Sequence, residues 1–134
     1  MQTPASAPRT VITAATYPGK PESIRHVRAD LRRALDGCPV ADDAILCASE
    51  LAANAALHSD SHKPGASFTV RVQANPGALV LIEVEDDGGP WIEPQPDLVR
   101  GRGLDIVRAL AAAWGVTTAP TGRRVWARVT WPHA

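Results

Sequence analysis

A chain of 134 residues has room for one hydrophobic core and hardly enough for a second domain of independent stability. Its 14 basic and 14 acidic side chains cancel, so no broad positive field exists to hold nucleic acid or an anionic membrane surface, and any phosphate binding has to be local. No apolar stretch approaches the ~20 residues that span a bilayer, the first residues lack the basic start and apolar run of a secretory signal, and two cysteines, Cys38 and Cys47, make no disulfide framework; the expectation is a cytoplasmic protein.

Met1 to Pro8 is rich in Pro, Ala, Ser and Thr and reads as a short disordered lead to a single domain over 9–134. Arg9 to Tyr17 is rich in β-branched residues and stops at Pro18-Gly19, which predicts a first strand ended by a turn. Ile24, Val27, Leu31 and Leu35 recur at helical spacing with Arg25, Arg28, Arg32 and Arg33 between them, predicting an amphipathic helix that ends near Gly37. Its basic face is either solvated or turned to an acidic partner. A second helix is expected from about Asp43 to His58, capped by Asp42 and stapled by Val40, with Ile45, Leu46, Ala53, Ala56 and Leu57 as its buried surface. Cys47 falls in that apolar pattern, as a small buried hydrophobe.

Phe68 to Gln73 and Leu79 to Glu85 read as strands joined by the turn Asn75-Pro76-Gly77. In the second strand the period of two puts Asp86 on the face of Val80, Ile82 and Val84. Pro90, Pro94 and Pro96 break regular structure into a loop or lid, followed by a helix from about Leu104 to Trp114 closed by Gly115. Val116 to Ala119 and Arg124 to Trp131 read as a closing hairpin around Pro120-Thr121-Gly122. Strands and helices mix without regular alternation, so the expected fold is an α/β two-layer sandwich with an antiparallel or mixed sheet and its helices on one face.

Three fragments can do chemistry. At about 100° per residue, Asn54 lies only ~40° around the helix from Glu50, and His58 another ~40° on. All three look into one cleft, where a carboxylate accepts a proton and a neutral carboxamide oxygen suits Mg²⁺ beside a triphosphate. The competing reading is a solvated polar stripe, with His58 serving the helix dipole. Asp86 closes an apolar strand face, where an unpartnered carboxylate costs several kcal/mol unless something donates to it. An adenine amino group is such a donor, and Gly88 and Gly89 leave the approach clear; an ordinary Asp-Gly turn is the alternative. Gly101-Arg102-Gly103-Leu104 opens a helix whose free N–H groups favour phosphate oxygens, although lone glycine-rich helix starts also occur as plain loops. The run is neither a Walker loop nor a dinucleotide fingerprint.

Together these fragments resemble the N, G1 and G2 boxes of the GHKL ATPases, the group containing gyrase, histidine-kinase catalytic domains and the anti-sigma serine kinases. The resemblance spans Tyr17-Pro-Gly through Gly122-Arg-Arg-Val-Trp126, and its nearest form is the small actinobacterial anti-sigma-factor-like branch, whose wording is matched by Ser49 to Ser59 and Gly101 to Val107. It implies a Bergerat-type fold holding ATP and Mg²⁺ between helices and lid. Carried onto matching positions, Glu50 is the catalytic base, Asn54 the Mg²⁺ ligand, Asp86 the adenine reader and Gly88 the base platform. Gly101, Arg102, Gly103 and Leu104 form the phosphate end, and His58, which shares the helix face of Glu50 and Asn54, is a further cofactor-binding candidate ranked below them. The implied partners are a STAS-type anti-anti-sigma protein as phosphate acceptor and a sigma factor to sequester, with a homodimer among the options; direct nucleic-acid or membrane binding is not implied. One departure stands in the G1 box, where Pro90 replaces the second glycine, removing an N–H and fixing φ at the lid hinge. A nucleotide-gated binding protein with little kinase activity is therefore the alternative to a serine/threonine kinase.

Overall fold

The computed structural model describes residues 10–58, 63–88, 102–119 and 122–132. The N-terminal lead, the proline-rich segment with Gly89, Pro90 and Trp91, and Gly101 lie outside the described residues.

The first strand, β1 (Val11–Pro18), alternates inward Thr13, Ala15 and Tyr17 with outward Ile12, Ala14 and Thr16. Inside, the Tyr17 ring stacks on Phe68 with centroids 5.7 Å apart, and its hydroxyl donates to Asp30 at 2.7 Å. The strand is thereby tied to α1 (Ser23–Ala34), which buries Val27 and Leu31 while Leu35 closes its end. Each such side chain contributes about 1.5–3 kcal/mol of burial. The arginines between them face solvent, with Arg32 paired to Asp42 and Arg33 to Asp30.

The second helix, α2 (Ala41–His58), starts two residues earlier than expected. The Val40 carbonyl accepts the first helical bond, from Ala44 at 2.9 Å, so Val40 holds the cap position and Asp42 sits in the first turn, where its charge still favours the positive helix end. The expected buried stripe is also corrected: Ile45 and Ala56 are buried, but Leu46 and Leu57 are 39% and 53% exposed and Ala53 is half-buried. Ala44, Cys47, Ala48, Leu51, Ala52 and Ala55 are buried instead. The reason is placement, since α2 packs on α1, on α3 and on the sheet together and needs small residues on several sides rather than one apolar line.

The strands β2 (Ser67–Asn75) and β3 (Leu79–Asp86) form the predicted hairpin, closed by the Ala78 N–H on the Asn75 carbonyl at 3.0 Å. The third helix, α3 (Arg102–Leu110), is shorter than predicted. Ala111 makes its last helical bond, to Val107, and Ala112 then donates across to Arg128 at 2.7 Å. Trp114 and Gly115 accordingly belong to β4 (Ala113–Ala119), paired with Ala127 and Trp126 of β5 (Gly122–Thr130). Gly115 is no helix stop: a Cβ there would stand 2.8 Å from the Trp126 ring, so the glycine seats the indole.

The strand order is β1-β2-β3-β5-β4, and every neighbouring pair is antiparallel, which settles the antiparallel-or-mixed expectation. The inward faces of the strands and the helices above them form one core around Phe68, Ile82, Val84, Leu51, Leu104 and Val107. The opposite face is open and carries an ion network in which Arg71 meets Glu85 and Arg124 meets Glu83. Among the described residues no helix is long and apolar enough to cross a membrane.

Candidate functional site

Asp86 ends the inward row Val80, Ile82, Val84 of β3 and is buried. Burial pushes its carboxyl above the ordinary carboxylate range, against the pull of the Gly88 N–H and Arg123. Its Oδ1 accepts the Gly88 N–H at 2.7 Å. Its Oδ2 accepts Nη2 and Nε of Arg123 at 3.0 and 3.3 Å. The donor that strand phase demanded is thus supplied in part by the protein itself: Arg123 lies opposite Asp86 in the β3–β5 register, and the two side chains are each only 2% exposed.

Two glycines make the floor beside this pair. Gly88 has φ +84°, where an L side chain is strained, and its missing Cβ would meet the Gly122 backbone at 3.5 Å. A Cβ on Gly122 would stand 2.7 Å from the Asp86 carbonyl oxygen. The first residue of β5 therefore approaches the end of β3 closer than any side chain permits, leaving bare backbone next to a buried carboxylate, a surface suited to a flat base. Neither Gly122 nor Arg123 was singled out from sequence as a site residue. A signal existed, because the alternation that turns Val125, Ala127 and Val129 inward also turns Arg123 inward.

The other predicted residues come from the helix layer. Glu50 and Asn54 are half-buried on α2, which packs over β3 and against α3. Neither makes a hydrogen bond or ion pair among the described residues, so the Asn54 carboxamide is uncommitted and fits a hard cation or a phosphate-bound water. His58 is the last residue of α2. Arg102 and Gly103 open α3, whose first N–H groups lack helical acceptors. Leu104 and Val107 are buried and anchor this helix; Leu104 accordingly supports the helix start from the core. Asp86, Gly88, Gly122 and Arg123 are brought into direct contact, while Glu50 and Asn54 belong to the helix laid over that strand.

A family model described as "Histidine kinase-like ATPase domain" matches residues 17–129, most of the chain. The chain belongs to the histidine kinase-like ATPase family. Its fold is similar to the solved structure of the RsbU and RsbW domains of Rv1364c from Mycobacterium tuberculosis, at 22% identity and a TM-score of 0.63, over 90% of this chain and 32% of that one. It is also similar to the Erythrobacter litoralis EL346 blue-light activated histidine kinase, at 23% identity and a TM-score of 0.57, over 82% of this chain and 41% of that one. The isolated histidine kinase domain of that protein matches at 22% identity and a TM-score of 0.53, over 83% and 60%. This histidine kinase-like ATPase domain thus spans about a third of the first of these chains. No curated protein gives a significant match. Membership of this family implies that the domain binds ATP.

Proposed function

We propose that this ATPase-family domain is an ATP-binding regulatory protein that transfers the γ-phosphoryl group to a serine or threonine of an anti-anti-sigma partner of the STAS type, and that it sequesters a sigma factor. The observation that carries the nucleotide reading is the buried Asp86 carboxylate beside the bare Gly88 and Gly122 backbone. Partner and acceptor rest on the resemblance of Ser49 to Ser59 and Gly101 to Val107 to the anti-sigma kinases.

In this reading Asp86 accepts the adenine amino group and Gly88 lets the ring lie close. Arg102 and the first N–H groups of α3 receive the phosphate end. Asn54 is the side chain that would hold Mg²⁺, which when bound neutralises charge on the β- and γ-phosphate oxygens. Glu50 receives the proton of the acceptor hydroxyl as its oxygen bonds the γ-phosphorus, and the bond from that phosphorus to the bridging oxygen breaks to release ADP.

Calorimetry with Mg-ATP tests the binding half, and transfer of labelled phosphate to a co-purified partner tests the chemistry. Glu50→Ala should keep ATP and lose transfer, whereas unchanged transfer removes Glu50 from its role. Pro90, standing where the G1 pattern has its second glycine, favours a second reading, a nucleotide-gated binding protein. Stable ternary complexes with no transferred phosphate would select it.

A further inference from the structure

Asp86 has about four lone-pair sites as a carboxylate and none to donate from. Three donors already fill it unevenly: two from Arg123 on Oδ2 and one, the Gly88 N–H, on Oδ1. An acceptor site therefore remains on Oδ1, beside the glycine floor. The guanidinium brings a positive charge and gives two nitrogens to the one oxygen Oδ2, so with the Gly88 N–H on Oδ1 it fixes both the charge and the rotation of the carboxylate.

We propose that Arg123 is a positioning residue that sets base choice: by holding Asp86 as an oriented, acceptor-only carboxylate, it makes the pocket take a 6-amino purine and refuse a 6-oxo purine. This rests on the reading of Asp86 as the base contact. A 6-amino group donates and a 6-oxo group accepts, so a carboxylate meets the first with a hydrogen bond and the second with repulsion. A protonated acid keeps an acceptor oxygen but gains an O–H donor, so it can meet either group and loses that preference. Burial pushes Asp86 towards the acid form, and the N–H of Gly88 with Arg123 opposes it. The charges acting on Asp86 are Arg123 from β5 and Asp87, the residue that follows the end of β3, the latter favouring the acid. From β2 the inward ring is Phe68, and α2, laid over β3, carries half-buried Glu50 without an ion pair among the described residues. Arg123 is the positive charge within reach of Asp86 that the described structure pairs with it.

The test is calorimetric titration with Mg-ATP and Mg-ITP of the full chain, wild type and variants, with circular dichroism melts to establish folding. The wild type should prefer ATP. Arg123→Met should weaken ATP by about 10- to 100-fold, the worth of a hydrogen bond to a charged group, and collapse the ATP/ITP ratio. Its ATP affinity should recover as pH rises, with the half-point displaced upward from that of the wild type. Arg123→Lys should retain the preference for ATP at reduced affinity. The double variant Asp86→Asn with Arg123→Met has no buried charge and presents either an oxygen or an amide, so it should bind ATP and ITP within a few fold. Should Arg123→Met not fold, the lysine and double variants decide. A folded Arg123→Met with tighter ATP binding would make Arg123 a competitor for Asp86, and one with an unchanged ATP/ITP ratio would make it a bystander; either overturns the inference. If the wild type binds neither nucleotide at millimolar concentration, the nucleotide reading fails first and takes this inference with it.

Discussion

Gly122→Ala is expected to damage stability and nucleotide binding together. The added Cβ would sit 2.7 Å from the Asp86 carbonyl oxygen, several tenths of an ångström inside ordinary contact. The obstacle is main chain, so no rotamer change relieves it. Gly122 pairs with Ala119 on one side, and its neighbour Arg123 pairs with Asp86 on the other, so relief requires the end of β3 to move and to carry the carboxylate with it. Overpacking of this kind costs about 1–3 kcal/mol. With an unfolding entropy of ~2.1 cal/mol/K per residue, a chain of this length loses roughly 4 °C of Tm per kcal/mol, giving a drop of about 4–11 °C by circular dichroism. ATP affinity, read by calorimetry below the melt, should fall as well. Gly37→Ala is the control: φ is +83° but nothing lies within 4 Å, so it should cost about 1–2 kcal/mol of backbone strain and leave nucleotide affinity alone. If Gly122→Ala melts with the wild type and binds ATP equally, the close approach of the two strands is not present in solution.

Asp86→Asn takes away the oriented carboxylate and should weaken Mg-ATP binding by about 10- to 100-fold, the worth of a hydrogen bond to a charged group, read by calorimetry. It should also change the pH dependence: a folded carboxyl held above its usual value contributes stability that is complete below the unfolded pKa and lost as pH rises through the folded one. The wild type should thus lose that contribution on going from acid towards neutral pH, and the asparagine variant should lack that slope. The Cys47 thiol is fully buried and pushed up to about 11 by burial, with Asp43 and Glu50 adding to the shift, so maleimide near neutral pH should label Cys38 first and reach Cys47 only on denaturation; equal labelling rates would contradict the packing of α2. Phe68→Ala should cost about 3–5 kcal/mol, while Arg71→Ala on the open face, whose partner Glu85 is well exposed, should cost no more than about 1 kcal/mol.

Local signals located the hairpin at Asn75-Pro76-Gly77 and turned Asp86 inward, because both depend on turn chemistry and strand phase within a few residues. What acts on Asp86 was not legible in the same way. Arg123 lies 37 residues away, and an arginine beside a Pro-Thr-Gly turn looks like a solvated strand end until the register with β3 is known. The helix faces show the same limit. A helix covered on one side, such as α1, prints its burial as a stripe at Val27, Leu31 and Leu35; α2 is covered on several sides, so its alanines carried the core while the more conspicuous Leu46 and Leu57 stayed outside. At the end of α3, three consecutive alanines suit a helix, yet after the Ala111 bond to Val107 the Ala112 bond to Arg128 turns the chain into β4 from Ala113. The order and spacing of Glu50, Asn54, Asp86 and the Gly101 to Leu104 helix start were visible from the start; the contact that completes Asp86 was a property of the assembled sheet.

The position of β5 has a consequence for how such a molecule comes into being. It is the last of the five strands to leave the ribosome, yet it is inserted between β3 and β4 in the finished sheet, and it brings Gly122 and Arg123 with it. Everything synthesised before it faces a gap where a central ladder belongs, so the β2–β3 hairpin and β1 beside it can pair early but the sheet closes late, with the slow, long-range pairing such topologies impose. A nascent chain stalled before residue 122 would hold α2 and Asp86 yet lack the strand that joins β3 to β4, leaving no floor to place a base on. Competence to bind nucleotide should therefore arrive in one step, with the final strand, rather than grow as the chain lengthens.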